Sequence, residues 1–425
     1  MGNKIWRPVR GMLVMSVGLL AMPSYALSIE EAWQAAKQYD PSYEQAKIGV
    51  RAGEVQVSES RSALLPSMNA TAFTSWNDNH RNATSYGADI TQTIWDSTLW
   101  SGLDQAQASY VASELELSKA HNALAQQLIS AYLDVASAQG DLQLAQNKLA
   151  EGDKLLRISE KRYRAGKTKS IDIEDMRANQ ISEKAAILSA QSRLEEKRAE
   201  LAALIDRLPE HVDEIQTDTL VEPAMLVSTK TEWLKLAKDN SPELLVAMQK
   251  LKVSEVARKV AQGGYYPKLT GNLGYQDGDR RSEGEFSAGL SLTVPIDLNG
   301  ATRAKVDQAS LTILSAKQDV RKVEIDIQKR IQQQFEQVRL NWQQVLMAKE
   351  LVDYRARVLS SKETLYDAGM AQASDVIDAH NDLFTARNSL QQNLYGYWRQ
   401  RIGLLQAAGK LDDNTISMIS GALRS

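Results

Sequence analysis

Four aspartates in two similar tracts are the residues of this chain with the clearest capacity for chemistry. They form two pairs with a spacing of three residues, Asp172 with Asp175 and Asp375 with Asp378. A carboxylate can accept hydrogen bonds from the free amides in the first turn of a helix. Like charges that are held close together raise one another's pKa and attract cations. The pairs are therefore candidates for helix caps or for a cation-attracting site.

The residue types that enzymes use most often are absent or scattered. The 425 residues contain no Cys, which excludes disulfides, thiolate metal sites and cysteine nucleophiles. The sequence holds no Gly-rich phosphate loop, nucleophile elbow or metal-ligand spacing, and its histidines lie far apart, at His80, His121, His211 and His380. The net charge of -3 gives no bulk attraction to nucleic acid. We expect no enzymatic activity, no cofactor and no nucleic-acid partner.

The tracts that carry the aspartates are two copies of one turn. RYRAGKTKSIDIED occupies 162–175 and LYDAGMAQASDVID occupies 365–378, an offset of 203 residues. In each copy a glycine, Gly166 or Gly369, ends one long apolar-periodic stretch, and an aspartate opens the next. Each copy is therefore predicted to be the tip of a helical hairpin, within a chain built by internal duplication.

Apolar residues recur every seven positions on the approach to each tip, and the two sets correspond at the same offset. The first set is Leu128, Val135, Leu142, Leu149, Leu156 and Tyr163, and the second is Ile331, Val338, Val345, Val352, Leu359 and Tyr366. A strict seven-residue repeat predicts long helices packed as in a coiled coil. We expect Tyr163 to be a core position of this seam.

The N-terminus predicts export from the cytoplasm. Three basic residues precede an apolar run over 11–21, and a small-residue cleavage site follows at 24–26. This pattern predicts a secretory signal peptide over 1–26. A retained anchor is the weaker alternative, because the run falls short of the roughly 20 residues that span a bilayer.

The remaining chain divides into two repeats joined by a linker. The first repeat is predicted over 27–206, with strands at about 67–76 and 85–95 and a long helix at about 97–165. A linker, or equatorial region, follows at 207–230. The second repeat is predicted over 231–408, with strands at about 267–276 and 285–295, a long helix at about 299–368, and a C-terminal tail at 409–425.

The four predicted strands have the length and the two-sided pattern of outer-membrane strands. Open strand edges in lipid leave backbone groups unpaired, and known barrels begin at about eight strands. Either several chains share one barrel, or the strands form a soluble four-stranded sheet. The long helices and the export signal favour the shared barrel. Trp76, Trp95 and Tyr275 are candidates for interfacial aromatic belts, although ordinary packing would also explain Trp95.

Several further motifs resemble the TolC family of outer-membrane channel proteins over the whole mature chain. They are LLP before the first strand, ITQTIWDSTLWSGL at 90–103, its mirrored counterpart LTVPIDLNG at 292–300, and the two turns. The resemblance implies a mainly α chain with a small β part that forms a homotrimer. Four strands from each copy would close a twelve-stranded barrel in the outer membrane, continued by a periplasmic α-helical barrel.

The same resemblance implies that both turns lie at a periplasmic gate. Asp375 and Asp378 match aspartates that line the constriction in related channels, and three copies would bring six carboxylates into one ring. Asp172 and Asp175 would make the mouth more acidic still. The alternative is that Asp172 and Asp375 only cap helices. That alternative is weaker for Asp378, because it lies one turn inside its helix.

Tyr366 matches a tyrosine that ties the inner hairpin to its neighbour in the family. The basic residue expected two positions after the glycine is missing, because Ala371 stands there. Lys167 or Lys169 of the first turn is a candidate to supply that charge. A purely structural place in the heptad core is the alternative for Tyr366.

These inferences predict an outer-membrane exit duct that passively conducts substrates from a tripartite efflux pump or a type I secretion system. The implied partners are a periplasmic adaptor, an inner-membrane transporter of the ABC or RND type, and outer-membrane lipid. Small molecules and secreted proteins both remain open as cargo. The alternative of another class is a periplasmic coiled-coil scaffold without channel activity.

Overall fold

The structure is a computed structural model that describes residues 26–77, 80–215, 220–279 and 283–424. The predicted signal peptide lies outside these residues, apart from Ala26.

The two repeats contain the same elements in the same order. The first repeat contains α1 (Ile29–Tyr39), α2 (Pro41–Ser62), β1 (Ser67–Asn77), β2 (His80–Trp95), α3 (Ser97–Arg164) and α4 (Ser170–Ile205). The second contains α5 (Lys230–Asn240), α6 (Pro242–Gly263), β3 (Lys268–Gly278), β4 (Glu285–Thr293), α7 (Ala301–Asp367) and α8 (Ala373–Ala407), and α9 (Asp413–Arg424) follows. The predicted fold class, mainly helical with a small sheet and an internal duplication, is confirmed.

The short helices that open each repeat begin with the same capping chemistry. The Ser28 hydroxyl accepts a hydrogen bond from the Glu31 amide, and the Glu31 carboxylate accepts one from the Ser28 amide. Thr229 and Glu232 form the same reciprocal pair at the start of α5. Each pair satisfies two amides that a helix leaves unbonded at its N-terminus. Sequence-local chemistry therefore sets where both repeats begin.

The four strands form one antiparallel sheet in the order β1-β2-β3-β4, so β2 and β3 join the two repeats and β1 and β4 are its edges. The pairing register collects the apolar side chains on one face of the sheet. That face contains Met68, Ala70 and Ala72, then Tyr86, Ala88 and Ile90, then Leu273 and Tyr275, then Phe286, Ala288 and Leu290. Small and polar residues occupy the other face, with Phe73 as the exception.

Some strand ends differ from the sequence-based expectation. β2 begins at His80 rather than near Ser85, because its backbone pairs with β1 through a stretch whose polar residues show no alternation. β3 continues through Asp277 and Gly278, the expected turn, because the long β2 offers them partners. β4 ends at Thr293, since the following Pro295 lacks an amide for the ladder.

The long helices lie side by side and carry the chain far from the sheet. α3 contains 68 residues, which at 1.5 Å per residue gives a length of roughly 100 Å. Near the sheet the packing order is α2, α3, α6 and α7, whereas toward the tips α4 packs on α3 and α8 packs on both α3 and α7. None of the helices in the described ranges is both long enough and apolar enough to cross a membrane.

The main hydrophobic core lies around the middle of the long helices, where the short helices pack against them. Trp33 of α1, Tyr132 of α3 and Trp233 of α5 are fully buried there. The predicted tail contributes to this core as α9, whose Ile416 and Ile419 are buried. A second, smaller core surrounds Tyr366 close to the tips.

Candidate gate at the hairpin tips

Both tips turn through the same backbone device. Gly166 has φ 72° and Gly369 has φ 78°, the left-handed region that favours glycine. The next amide in each tip donates to a carbonyl five residues earlier, Lys167 to Arg162 at 2.9 Å and Met370 to Leu365 at 2.9 Å. This is the Schellman motif, which satisfies carbonyls at the end of a helix. A residue with a β-carbon would be strained at either glycine.

The helices that follow are capped by the aspartates. Asp172 accepts a hydrogen bond from the Lys169 amide at 3.2 Å, and Asp375 accepts one from the Gln372 amide at 3.0 Å. Each carboxylate reaches back from the third position of its helix, where negative charge also complements the helix dipole. The capping interpretation therefore holds for both residues.

Asp375 has an additional partner that Asp172 lacks. The Lys362 ammonium lies 3.1 Å from the Asp375 carboxylate, whereas Ser159 occupies the position of Lys362 in the first repeat. The hydrogen bond from the Gln372 amide, together with Lys362, holds the pKa of Asp375 below its ordinary value. Within one chain the Gln372 amide and the Lys362 cation thus stabilise the charged form of this carboxylate. The effect of like charges from neighbouring copies stays a prediction for the assembled ring.

Asp378 and Asp175 lie one turn further into their helices, and both are exposed. Neither forms an ion pair with any residue of the described chain. Within the same residues no group of three or more acidic or histidine side chains is placed to hold a metal ion. The two carboxylates are thus free to face solvent or a neighbouring copy.

Tyr366 links the two hairpins at their tips. It is only 4 % exposed, and its hydroxyl lies 2.9 Å from the Ser159 hydroxyl of α3. The Arg162 guanidinium stacks 4.5 Å from the Tyr366 ring centroid. Arg162 also donates to the Asp367 carbonyl at 3.2 Å and lies 3.3 Å from its carboxylate. We refer to Ser159, Arg162, Tyr366 and Asp367 as the tip latch.

The cation of the tip latch differs from the two that the sequence suggested. Within the single chain Lys167 and Lys169 are exposed, and the cation that stacks on Tyr366 is Arg162, four residues before Gly166. A role of Lys167 or Lys169 toward a neighbouring copy stays a prediction. Sequence reasoning missed Arg162, although one signal was available. It is a cation within a repeated tract whose counterpart, Leu365, is apolar.

Tyr163 is not a core residue in the chain, contrary to the heptad prediction. It is 47 % exposed, although it corresponds to the buried Tyr366. The heptad pattern holds at Leu128 and Val135, which are buried, and weakens toward the tip at Leu156, which is half-buried. The helix arrangement differs between the two hairpins: α8 packs on both α7 and α3, whereas α4 packs chiefly on α3.

A buried histidine lies behind the acidic tip. His380 of α8 is 5 % exposed, and its Nε2 is 3.4 Å from the Glu151 carboxylate of α3. Burial lowers the pKa of His380, and the nearby Lys148 and Arg387 lower it further, whereas Glu151 raises it. Its counterpart in the first repeat, Arg177, is exposed and pairs with Glu160 and Glu174. No motif marked His380 in the sequence.

The aromatic candidates of the sheet lie near its two ends. Trp95 pairs with Leu269 at the helix end of the sheet, and Tyr275 lies six residues further along β3, about 20 Å away at strand spacing. Trp76 lies near the hairpin turn of β1 and is 75 % exposed. Trp76 and Trp95 both lie at register shifts, which reorient side chains.

Comparison with known proteins adds to this geometry. The family model described as "Outer membrane efflux protein" matches residues 32–207 and 233–410. The outer membrane protein TolC of Vibrio cholerae is 23 % identical over 425 residues, 96 % of this chain and 97 % of that protein. TolC of Escherichia coli is 22 % identical, over 94 % of this chain and 86 % of that protein. The solved structure of VceC from Vibrio cholerae superposes with a TM-score of 0.76 at 16 % identity, covering 90 % of this chain and 96 % of that one.

Proposed function

The chain belongs to the outer membrane efflux protein family, and from that membership we propose how its two repeats assemble, open and close an export duct. Members of this family form outer-membrane exit ducts for efflux or secretion. This chain is such a duct, spanning the outer membrane and extending into the periplasm.

The assembly we propose is a homotrimer whose sheets close into one twelve-stranded barrel. The observation that carries it is the sheet itself: one apolar face is exposed, and β1 and β4 are edge strands. In lipid every unpaired backbone group of an edge costs several kcal/mol. Pairing β4 of one copy with β1 of the next removes all edges and keeps every pair antiparallel. The apolar face then contacts lipid, and the polar face lines the lumen.

In this assembly Trp76 and Tyr275 belong to one interfacial belt and Trp95 to the other. Trp76 and Trp95 lie roughly a dozen residues apart along the strands, about 40 Å at strand spacing. A strand tilt of about 40° reduces this separation to roughly 30 Å, which suits an apolar band of about 25 Å with its flanking belts.

The gate we propose consists of the tip latch and the aspartates beside it. Tyr366 and Arg162 hold the second hairpin against α3, so breaking these contacts frees α7 and α8 to move outward. Asp375 and Asp378, with Asp172 and Asp175 from the first tips, form the acidic mouth. Asp378 contributes most of its cation attraction, because Lys362 already compensates Asp375 and basic residues surround the first tip.

The chain acts without catalysis, as a passive duct. Its energy comes from an inner-membrane transporter of the ABC or RND type. A periplasmic adaptor docks near the tips and biases the latch toward the open state.

Planar bilayer recordings test the duct and the latch together. We expect the purified wild-type protein to insert as a trimer and to show small conductance steps. Arg162→Ala combined with Tyr366→Phe should raise the conductance several-fold, because it removes the cation and the hydroxyl of the latch. The matched control is Arg164→Ala, two residues away and outside the latch. A trimer that never conducts would refute the duct proposal, and an unchanged double variant would refute the latch.

Divalent-cation block tests the acidic mouth. Asp378→Asn should weaken block from the periplasmic side more than Asp175→Asn, the equivalent change in the first tip. Asp375→Asn combined with Asp378→Asn should weaken it most. If divalent cations block the double variant as strongly as the wild type, the acidic-mouth proposal is wrong and these residues serve only the structure of the helix.

A further inference from the structure

The α9 helix occupies a specific groove of the first repeat, where it contacts α1 and α3. The Asp413 carboxylate accepts hydrogen bonds from the Trp33 indole at 2.7 Å and from Lys37 at 3.1 Å. His121 lies 3.4 Å from the same carboxylate. Further along α9, the Ser417 hydroxyl donates to Glu30 at 3.3 Å. The first groove is therefore a built site for a short helix that begins with an acidic residue.

The internal duplication repeats this groove in the second repeat, between α5 and α7, and there it is open to solvent in the chain. The second groove encloses about 350 Å³. Four of its lining residues correspond to the residues that contact α9 in the first groove. The pairs are Thr231 with Glu30, Leu234 with Trp33, Lys238 with Lys37, and Glu324 with His121. The correspondence follows the offset of Pro242 against Pro41 for the short helices and of Tyr366 against Tyr163 for the long ones.

We propose that the second groove docks an amphipathic helix of another protein. An acidic residue in the first turn of that helix would pair with Lys238, and its apolar face would lie on Leu234, Leu244 and Ile327. Charge complementarity supports this occupant, because Lys235 adds a second cation where the first repeat has Gln34. The inference does not depend on the gate or on the cargo.

A second α9 is not the natural occupant. Each copy has one α9 and two grooves, and its own α9 is held in the first by Asp413 and by the buried Ile416 and Ile419. Glu324 also replaces His121, one of the three side chains around Asp413 in the first groove, so a carboxylate in the second groove would meet repulsion beside its attraction to Lys238. The partner helix presents an amide or a cation toward Glu324.

A labelled peptide with the α9 sequence, Leu411–Arg424, is the probe, titrated by fluorescence anisotropy against the full-length protein in detergent. We expect weak, saturable binding with one peptide per chain. Glu324→Gln should lower the dissociation constant about tenfold, and Lys238→Glu should raise it about tenfold, the change that one charge-assisted hydrogen bond produces. The control is Lys230→Glu, an equal charge change on α5 outside the groove, which should leave binding unchanged.

Size-exclusion chromatography verifies that each variant keeps the oligomeric state of the wild type. Failure of both the wild type and Glu324→Gln to bind would overturn the proposal, since a neighbouring copy would then cover the groove. Binding that ignores Lys238→Glu would also overturn it, because the peptide would be exchanging with α9 in the first groove. An equal loss of peptide affinity with Lys230→Glu would also contradict the proposal, because the binding would then depend on general charge attraction and not on the groove.

Discussion

The two hairpin tips have the same backbone but opposite charges. Both turn at a left-handed glycine, and both continue into a helix capped by an aspartate. The first tip carries four cations, whereas the second carries none of them at the equivalent positions. Arg162, Arg164, Lys167 and Lys169 are answered by Leu365, Asp367, Met370 and Gln372. The two copies therefore share the residues that form the turn, whereas their other side chains have diverged. The divergence allows the two tips to pair with each other, as the Arg162–Asp367 contact shows.

Burial also separates the two hairpins. Leu359 and Tyr366 stay buried down to the second tip, whereas the first seam becomes exposed at Tyr163. The difference arises because α8 packs on two long helices and α4 chiefly on one. The second hairpin is consequently the enclosed one, and it is where changes should cost most.

The largest expected contrast is between the two equivalent tyrosines. Tyr366→Ala should destabilise the protein by about 3 kcal/mol, because it removes a buried ring and its hydroxyl contact. Tyr163→Ala should change stability by less than about 0.5 kcal/mol, as exposed positions usually do. The unfolding temperature of the detergent-solubilised protein measures both. An equal loss of stability with Tyr163→Ala would mean that a neighbouring copy buries Tyr163. The difference in burial between the two tyrosines would then exist in the isolated chain and disappear in the assembly.

The turn glycines should behave alike. Gly166→Ala and Gly369→Ala should each cost about 1 kcal/mol, because alanine is strained at positive φ although the space at both positions is open. The control is Gly396→Ala within α8, where the space is also open and alanine should stabilise the helix by about 0.5 kcal/mol. Unequal losses at the two turns, measured as unfolding temperatures, would show that the tips differ in backbone strain as well as charge.

The smallest expected effect is the contribution of His380, in the second hairpin, to the pH dependence of stability. The folded-state pKa of His380 is lowered, chiefly by burial. The unfolded chain therefore binds the proton more readily, and stability falls as the pH drops below the ordinary histidine pKa of about 6.5. Charged groups around it are Glu151 and Lys148 from α3 and Arg387 from α8.

Unfolding temperatures at pH 7.5 and 5.5 measure this term. His380→Gln should reduce the difference between the two temperatures, whereas Arg177→Gln, at the equivalent exposed position, should leave it as in the wild type. A difference unaffected by His380→Gln would assign the pH dependence to other groups.

Local chemistry explains which parts of the fold could be predicted from the sequence. The glycine turns, the capping aspartates and the period of two in the strands depend on residues close together in the chain. The Arg162–Tyr366 contact joins residues about two hundred positions apart, and the tracts mark it only by the cation that stands where the second copy has the apolar Leu365. A heptad pattern marks the apolar face of α3 but cannot say how many helices cover it, so the exposure of Tyr163 was missed. The docking of α9 was missed because Asp413 finds its partners only in the folded chain.

The pairing of β2 with β3 has a consequence for symmetry. In the proposed trimer, hairpins from the first and second repeats alternate around the ring, so three doubled chains occupy the places of six half-length ones. Six identical subunits would place the same tip at six positions. Any net charge on a tip would then be repelled by the same charge on both neighbouring tips. Fusing two copies into one chain lowers the symmetry from sixfold to threefold. Basic and acidic tips can then alternate around the ring. Attraction between neighbouring tips would stabilise its closed state, although all six hairpins share one backbone fold.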